Sequence, residues 1–167
     1  MNQLPAATGT PYRVAMVCLG NICRSPMADV IMRDLVASAG LSERIEITSS
    51  GTGDWHLGHP MDPRAATQLT SMSYDATPHR AQQFTATWAN RDLILAMDNS
   101  NLSNINAILG DLARPGQVRL FREFDPLAAR GDEVPDPYYG GDEGFTHVAE
   151  MVRRTCQNLL VRLTEVV

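Results

Sequence analysis

The sequence predicts a doubly wound α/β fold: a three-layer sandwich in one domain, with a four-stranded parallel sheet. Three observations carry this expectation. Four short apolar runs, at 12–17, 45–49, 92–97 and 118–121, have the length and composition of strands. Helical stretches separate them, as crossovers between parallel strands require. A chain of 167 residues, 44% apolar and 20% charged, can bury one core without disulfide or metal staples.

Taken in order, residues 1–10 carry neither a basic start nor an apolar signal core, and read as a disordered tail ahead of a domain spanning 11–167. Tyr12-Arg13-Val14-Ala15-Met16-Val17 is β-prone and stops at a glycine-containing loop, as a buried strand does. Ser25-Pro26 opens a helix: the serine is expected to cap free N–H groups, and proline in the first turn loses no hydrogen bond. Gly40 closes it. Ile45-Glu46-Ile47-Thr48-Ser49 alternates as a second strand, and a loop rich in Gly, His and Trp runs from Gly51 to Pro60.

Asp62-Pro63 starts another helix, and a polar stretch follows through His79. Asp92 to Met97 reads as the third strand, 100–109 as a helix, Val118 to Phe121 as the fourth strand, and Asp125 to Glu143 as loop. From Phe145 to Leu163, residues Val148, Met151, Val152, Thr155, Cys156, Leu159, Leu160 and Leu163 recur on one helical face. Ligands of such sheets bind beyond the carboxyl ends of the strands, where the loop after Val17, the turn at 49–53 and Asp98 all fall.

Fourteen basic against nineteen acidic residues give a net charge of −5, which argues against nucleic acid or an anionic membrane as partner. No apolar run reaches bilayer length. Three cysteines without an export signal point to the reducing cytoplasm and to thiol chemistry rather than structural disulfides.

The loop Cys18-Leu19-Gly20-Asn21-Ile22-Cys23-Arg24-Ser25 gathers three anion-stabilising devices around one thiol. Backbone N–H groups point inward, a helix N-terminus adds partial positive charge, and Arg24 offers a forked guanidinium. Together they favour Cys18 as a thiolate. They also match a transferring phosphoryl group, whose charge spreads over three equatorial oxygens. Attack by the thiolate then gives a cysteinyl-phosphate that water hydrolyses, with no metal or other cofactor required. Expelling a phenolate needs a proton donor, which a carboxylic acid on a loop can supply.

The segment Val17 to Ala28 resembles the signature of the low-molecular-weight protein-tyrosine phosphatases, most closely their bacterial, actinobacterial-type members. Asp136-Pro137-Tyr138-Tyr139, far downstream, resembles the family's general-acid loop. The resemblance runs from about Tyr12 to Leu163 and implies the strand order 2-1-3-4 for the sheet. It implies Cys18 as nucleophile, Arg24 as phosphate ligand, Asp136 as acid then base, and the loop from Leu19 to Ser25 as phosphate cradle. It further implies a supporting network of Asn21, Ser25, Ser49, His79 and Asp98, and a pocket wall of Trp55, Tyr138 and Tyr139. The implied partners are tyrosine-phosphorylated proteins and a phosphate or other oxyanion in the site. Some relatives from pathogens leave the cell without a signal peptide, so release is compatible with the cytoplasmic expectation.

Other readings stand beside these. Cys23 is either a small buried thiol or a resolving cysteine that traps oxidised Cys18 as a disulfide. Cys156 falls on an apolar stripe and reads as core. His56 and His59 lack a carboxylate or thiol at matching spacing, so no metal is expected. His147 reads as helix surface. Two rival functions remain: an arsenate reductase of the same fold, which needs a further relay cysteine, and a non-catalytic phosphoprotein-binding module, which needs neither Cys18 nor Asp136.

Overall fold

The computed structural model describes residues 3–167. Its sheet is parallel throughout. β1 (Tyr12–Cys18) lies between β2 (Ile45–Gly51) and β3 (Leu93–Ala96), and β4 (Val118–Leu120) forms the far edge beside β3, which is the expected order 2-1-3-4. Four α-helices connect and cover the strands: α1 (Arg24–Ser38), α2 (Pro63–Ser71), α3 (Asn99–Leu109) and α4 (Asp142–Leu163).

Successive strand residues face opposite sides, so the apolar runs divide into two cores. Val14, Met16, Ile45, Ile47, Leu93 and Leu95 pack with α1 and α4. Ala15, Val17, Ile94, Ala96 and Leu120 pack with Ile105 and Leu109 of α3. The largest of these side chains are worth roughly 1.5–3 kcal/mol each when fully buried. The helical stripe read from 145–163 is the buried face of α4, with Leu160 half-buried at its margin. No helix among the described residues is long and apolar enough to cross a membrane.

Several boundaries shift from expectation by a few residues, such as α4, which starts at Asp142 inside the span read as loop, and three departures come through tertiary contacts. Residues 3–10 form no disordered tail but a strap over the sheet. Leu4 is buried, Tyr12 donates its hydroxyl to the Pro5 carbonyl at 2.8 Å, and Thr8 donates N–H and hydroxyl to the buried Asp92 carboxylate at 2.9 and 2.7 Å. Residues 1 and 2 lie outside the described residues. β2 runs on through Gly51, beside Cys18 in register. Between the polar stretch, which ends at His79, and β3 lies a short 3₁₀ turn that the sequence reading leaves unassigned, Ala86–Asn90, whose Trp88 fills the second core beside Phe84.

Candidate active site

β1 ends at Cys18 and α1 begins at Arg24, so the phosphate-type loop joins the central strand directly to a helix N-terminus. Gly51 makes this possible. A Cβ there would meet the Leu19 carbonyl oxygen at 2.7 Å and the Asn21 nitrogen at 3.0 Å, so only glycine lets the loop lie against the end of β2.

The orientation of the loop follows from its carbonyls. Those of Cys18, Leu19 and Ile22 accept from the N–H groups of Thr52, Gly53 and Asp62 at 3.0, 2.8 and 2.9 Å; that of Asn21 accepts from His79 and that of Cys23 from Met27. In a trans peptide C=O and N–H point opposite ways. Carbonyls held from outside therefore turn the N–H groups of Leu19, Gly20, Ile22, Cys23 and Arg24 inward, around the thiol.

Asn21 takes a left-handed backbone, φ 55°, which asparagine tolerates better than most residues. Its N–H points at Cys18 Sγ, 3.3 Å away. Its Oδ1 accepts from the Gln82 N–H at 3.0 Å, which fixes the amide, and Nδ2 donates to Ser25 Oγ and Ser49 Oγ at 2.9 and 3.0 Å. Ser49 in turn donates to Asp29 Oδ2 at 2.9 Å, since a carboxylate only accepts. Ser25 Oγ lies 3.0 Å from Cys18 Sγ and 3.4 Å from the Ser50 carbonyl, so its proton is best aimed at the sulfur.

This corrects the expected cap: the N-cap residue of α1 is Cys23, without a side-chain cap bond, and Ser25 sits inside the helix with its hydroxyl turned to the thiol. Asp29 was not among the candidates. The available signal was its place one turn after Ser25, amid Met27, Ala28, Ile31 and Met32 on the buried part of α1. Burial raises its carboxyl above the ordinary range, against the opposing pull of Arg33, Ser49 and His79. His79 Nε2 donates to the Asn21 carbonyl at 2.7 Å, and burial lowers the imidazole below its ordinary value despite that bond.

Arg24 is buried under the loop. Its Nη1 donates to Asp98 Oδ2 at 2.7 Å and to the Val134 carbonyl at 3.0 Å, and Nη2 lies 3.5 Å from Asp136 Oδ2. Burial works against its charge, but Cys18, Asp98 and Asp136 outweigh that effect and raise its affinity for the proton. Asp98 also caps α3, accepting from the Asn101 N–H at 2.7 Å. Val134 holds the loop down: it is fully buried and donates its N–H to the Met97 carbonyl at 2.8 Å.

Cys18, Cys23, Arg24, Trp55, Asp136, Tyr138 and Tyr139 line one cleft of about 320 Å³, together with His56, which is not among the wall residues that the resemblance implies. Trp55 is 66% exposed and Tyr139 91%, so neither anchors a core; they wall the opening. Trp55 reaches its place because Gly53 has no side chain: a Cβ there would overlap its ring. Burial, reinforced by Asp62, Cys18 and Asp136, pushes the Cys23 thiol up. A thiol held protonated is a poorer nucleophile than a thiolate. Cys156 of α4 is fully buried with its thiol against the Ala28 carbonyl of α1, and His147 is exposed.

The arrangement can hold a tetrahedral oxyanion over a thiol with a carboxyl group at its edge. Comparison with known proteins agrees. Residues 13–167 match the family described as low molecular weight phosphotyrosine protein phosphatase. The low molecular weight protein-tyrosine-phosphatase of Streptomyces coelicolor is 44% identical over 156 residues, covering 92% of this chain and 94% of that one. Low molecular weight protein-tyrosine phosphatase A of Mycobacterium tuberculosis is 37% identical over 150 residues, covering 89% and 90%. A crystal structure of a protein tyrosine phosphatase from Entamoeba histolytica, with Hepes in its active site, superposes with a TM-score of 0.82 at 32% identity, covering 92% of this chain and 97% of that one. Fold, loop signature and near full-length identity thus place the chain in the low molecular weight phosphotyrosine protein phosphatase family.

Proposed function

We propose that the protein hydrolyses phosphotyrosine in proteins through a phosphocysteine on Cys18, with Asp136 as proton donor and then acceptor. The observation that carries this reading is the convergence of Cys18, Arg24 and Asp136 on one aromatic-walled cleft. The Cys18 thiolate attacks phosphorus while the inward N–H groups and Arg24 bind the three equatorial oxygens. The P–O bond breaks, its electron pair stays on the phenolic oxygen, and Asp136 delivers its proton there. The resulting carboxylate takes a proton from water as that water attacks the cysteinyl-phosphate. The S–P bond breaks and the thiolate returns. Ser25 supports both ends of the cycle, because its hydroxyl can donate to the leaving sulfur.

The aromatic walls favour a phenyl ring over a short aliphatic chain. Phosphoserine is too short to reach past them, and its alkoxide is a poorer leaving group. An arsenate reductase would need a relay cysteine, and Cys156, the one cysteine outside the loop, is buried away from the cleft. A binding module would leave Asp136 without a task.

Two substitutions test the roles. Cys18→Ser should abolish turnover of aryl phosphates and phosphotyrosyl peptides while retaining their binding. Asp136→Ala should lower kcat/KM for poor leaving groups by about 10²-fold or more, and far less for good ones. Substantial turnover by Cys18→Ser ends the reading; thioredoxin-coupled arsenate reduction by the wild-type protein would replace it.

A further inference from the structure

The proton donor stands on a segment without regular structure, yet its carboxyl must meet the leaving oxygen at hydrogen-bond distance. Two arginines outside the cleft's lining hold that segment: Arg122 donates to the Glu133 carbonyl ahead of the acid at 3.1 Å, and Arg64 grips the residues just after it. Arg64, on the first turn of α2, donates from Nη2 to the Tyr138 carbonyl at 2.9 Å and from Nη1 to the Gly140 carbonyl at 3.2 Å. The Tyr138 N–H donates to Asp136 Oδ1 at 3.1 Å, so the backbone of Tyr138 is held by the acid on one side and by Arg64 on the other.

Arg64 is itself fixed. Its Nε and Nη2 bond Asp62 Oδ1 and Oδ2 at 3.2 and 3.1 Å, and its guanidinium carbon lies 4.6 Å from the Phe145 ring centre and 5.5 Å from that of Tyr138. Four of its five N–H donors are engaged, so it is poorly placed to act as a free cation for substrate. Asp62 continues the connection: its N–H donates to the Ile22 carbonyl of the phosphate loop at 2.9 Å. The corner Asp62-Pro63-Arg64 therefore touches the nucleophile's loop with one residue and the acid's loop with another.

We propose that Arg64 is a positioning residue for the proton donor, tying the Asp136 loop to the Cys18 loop so that acid and nucleophile keep a fixed separation. This rests on Asp136 being the proton donor. The fork is essential: a lysine at this position has charge but cannot span two carbonyls and a carboxylate together.

The test measures kcat/KM for aryl phosphates running from dinitrophenyl, a good leaving group, to unsubstituted phenyl, a poor one. That parameter reports only the steps up to leaving-group expulsion. Wild type, Arg64→Ala, Arg64→Lys and Asp136→Asn are compared, with thermal unfolding of each. Arg64→Ala should lose about tenfold on phenyl phosphate and less than about threefold on the dinitrophenyl ester. Arg64→Lys should recover only part of the loss, and Asp136→Asn should give the steepest dependence. Equal losses along the series, no loss, or full rescue by lysine would overturn the positioning role while leaving the acid in place. An Asp136→Asn series no steeper than wild type would instead overturn the acid assignment, and this role with it.

Discussion

At Asn21 a left-handed backbone and a three-way side-chain bond occur in the same residue. The conformation costs an ordinary L-residue roughly 1–2 kcal/mol, and the bonds to Ser25, Ser49 and Gln82 offset it. Two substitutions separate these terms. Asn21→Ala should destabilise the protein by about 2 kcal/mol, combining strain with a network left open. Asn21→Gly should recover about 1 kcal/mol of that, because glycine takes positive φ freely, without restoring kcat/KM. Chemical denaturation and steady-state kinetics on both variants check this; near wild-type activity in Asn21→Gly would mean that backbone shape alone serves the thiol. Asn21, Ser25, Ser49 and His79 were all readable as a set through the resemblance. Asp29 and Gln82 were not: the apolar neighbours of Asp29 on α1 mark it as buried without naming Ser49 as its partner, and Gln82 reaches Asn21 through a backbone N–H that any residue but proline would offer.

Among the elements, the strand ends do most to build the site. Cys18 and Gly51 are paired neighbours at the carboxyl ends of β1 and β2, and the phosphate loop lies across the second of them. Gly51→Ala should push the Leu19–Asn21 backbone outward by several tenths of an ångström or more. A misplacement of that order is expected to lower kcat/KM by up to about 10²-fold and to weaken competitive inhibition by inorganic phosphate, with a smaller effect on Tm. Wild-type kinetics in this variant would show that the loop is not set by the end of β2. The start of α1 was misjudged for a related reason. Ser25 has the local chemistry of a cap, but a sulfur 3.0 Å away and an amide at 2.9 Å, both brought by folding, claim its hydroxyl instead.

Across the whole molecule, α4 is fastened to the far end of the sheet by Asp125, whose side chain is fully buried between Arg154 and Arg122. Arg154 donates to both its oxygens, at 2.7 and 2.8 Å, and the Leu127 N–H adds a third bond at 2.9 Å. Burial opposes the charge, yet these partners lower the carboxyl to about 2. A carboxyl depressed on folding stabilises the native state above its unfolded value, near 3.9, and that stability is lost as pH falls toward the folded value. The protein should therefore lose about 2 kcal/mol from this group between roughly pH 4 and pH 2. Asp125→Asn should remove that part of the acid dependence and lower stability at neutral pH by about 2–3 kcal/mol, through the two arginines left without their carboxylate. Denaturant titrations at a series of pH values measure both; an unchanged acid limb would refute the assignment.

What the sequence determined by itself was the periodic and the contiguous. Strand runs, the helical stripe of α4 and a nucleophile loop that follows its strand without interruption all follow from short-range pattern, and they give the parallel α/β class and the place of Cys18 and Arg24, whereas the order 2-1-3-4 is a matter of which strands pair. Only the tertiary structure decided what meets across the chain: Asp29 behind Ser49, Asp98 and Val134 on Arg24, the strap at 3–10, and Arg64 between two loops. The physical reason is that a polar side chain's role is set by the partner that satisfies it once water is gone, and these partners are tens of residues away in sequence.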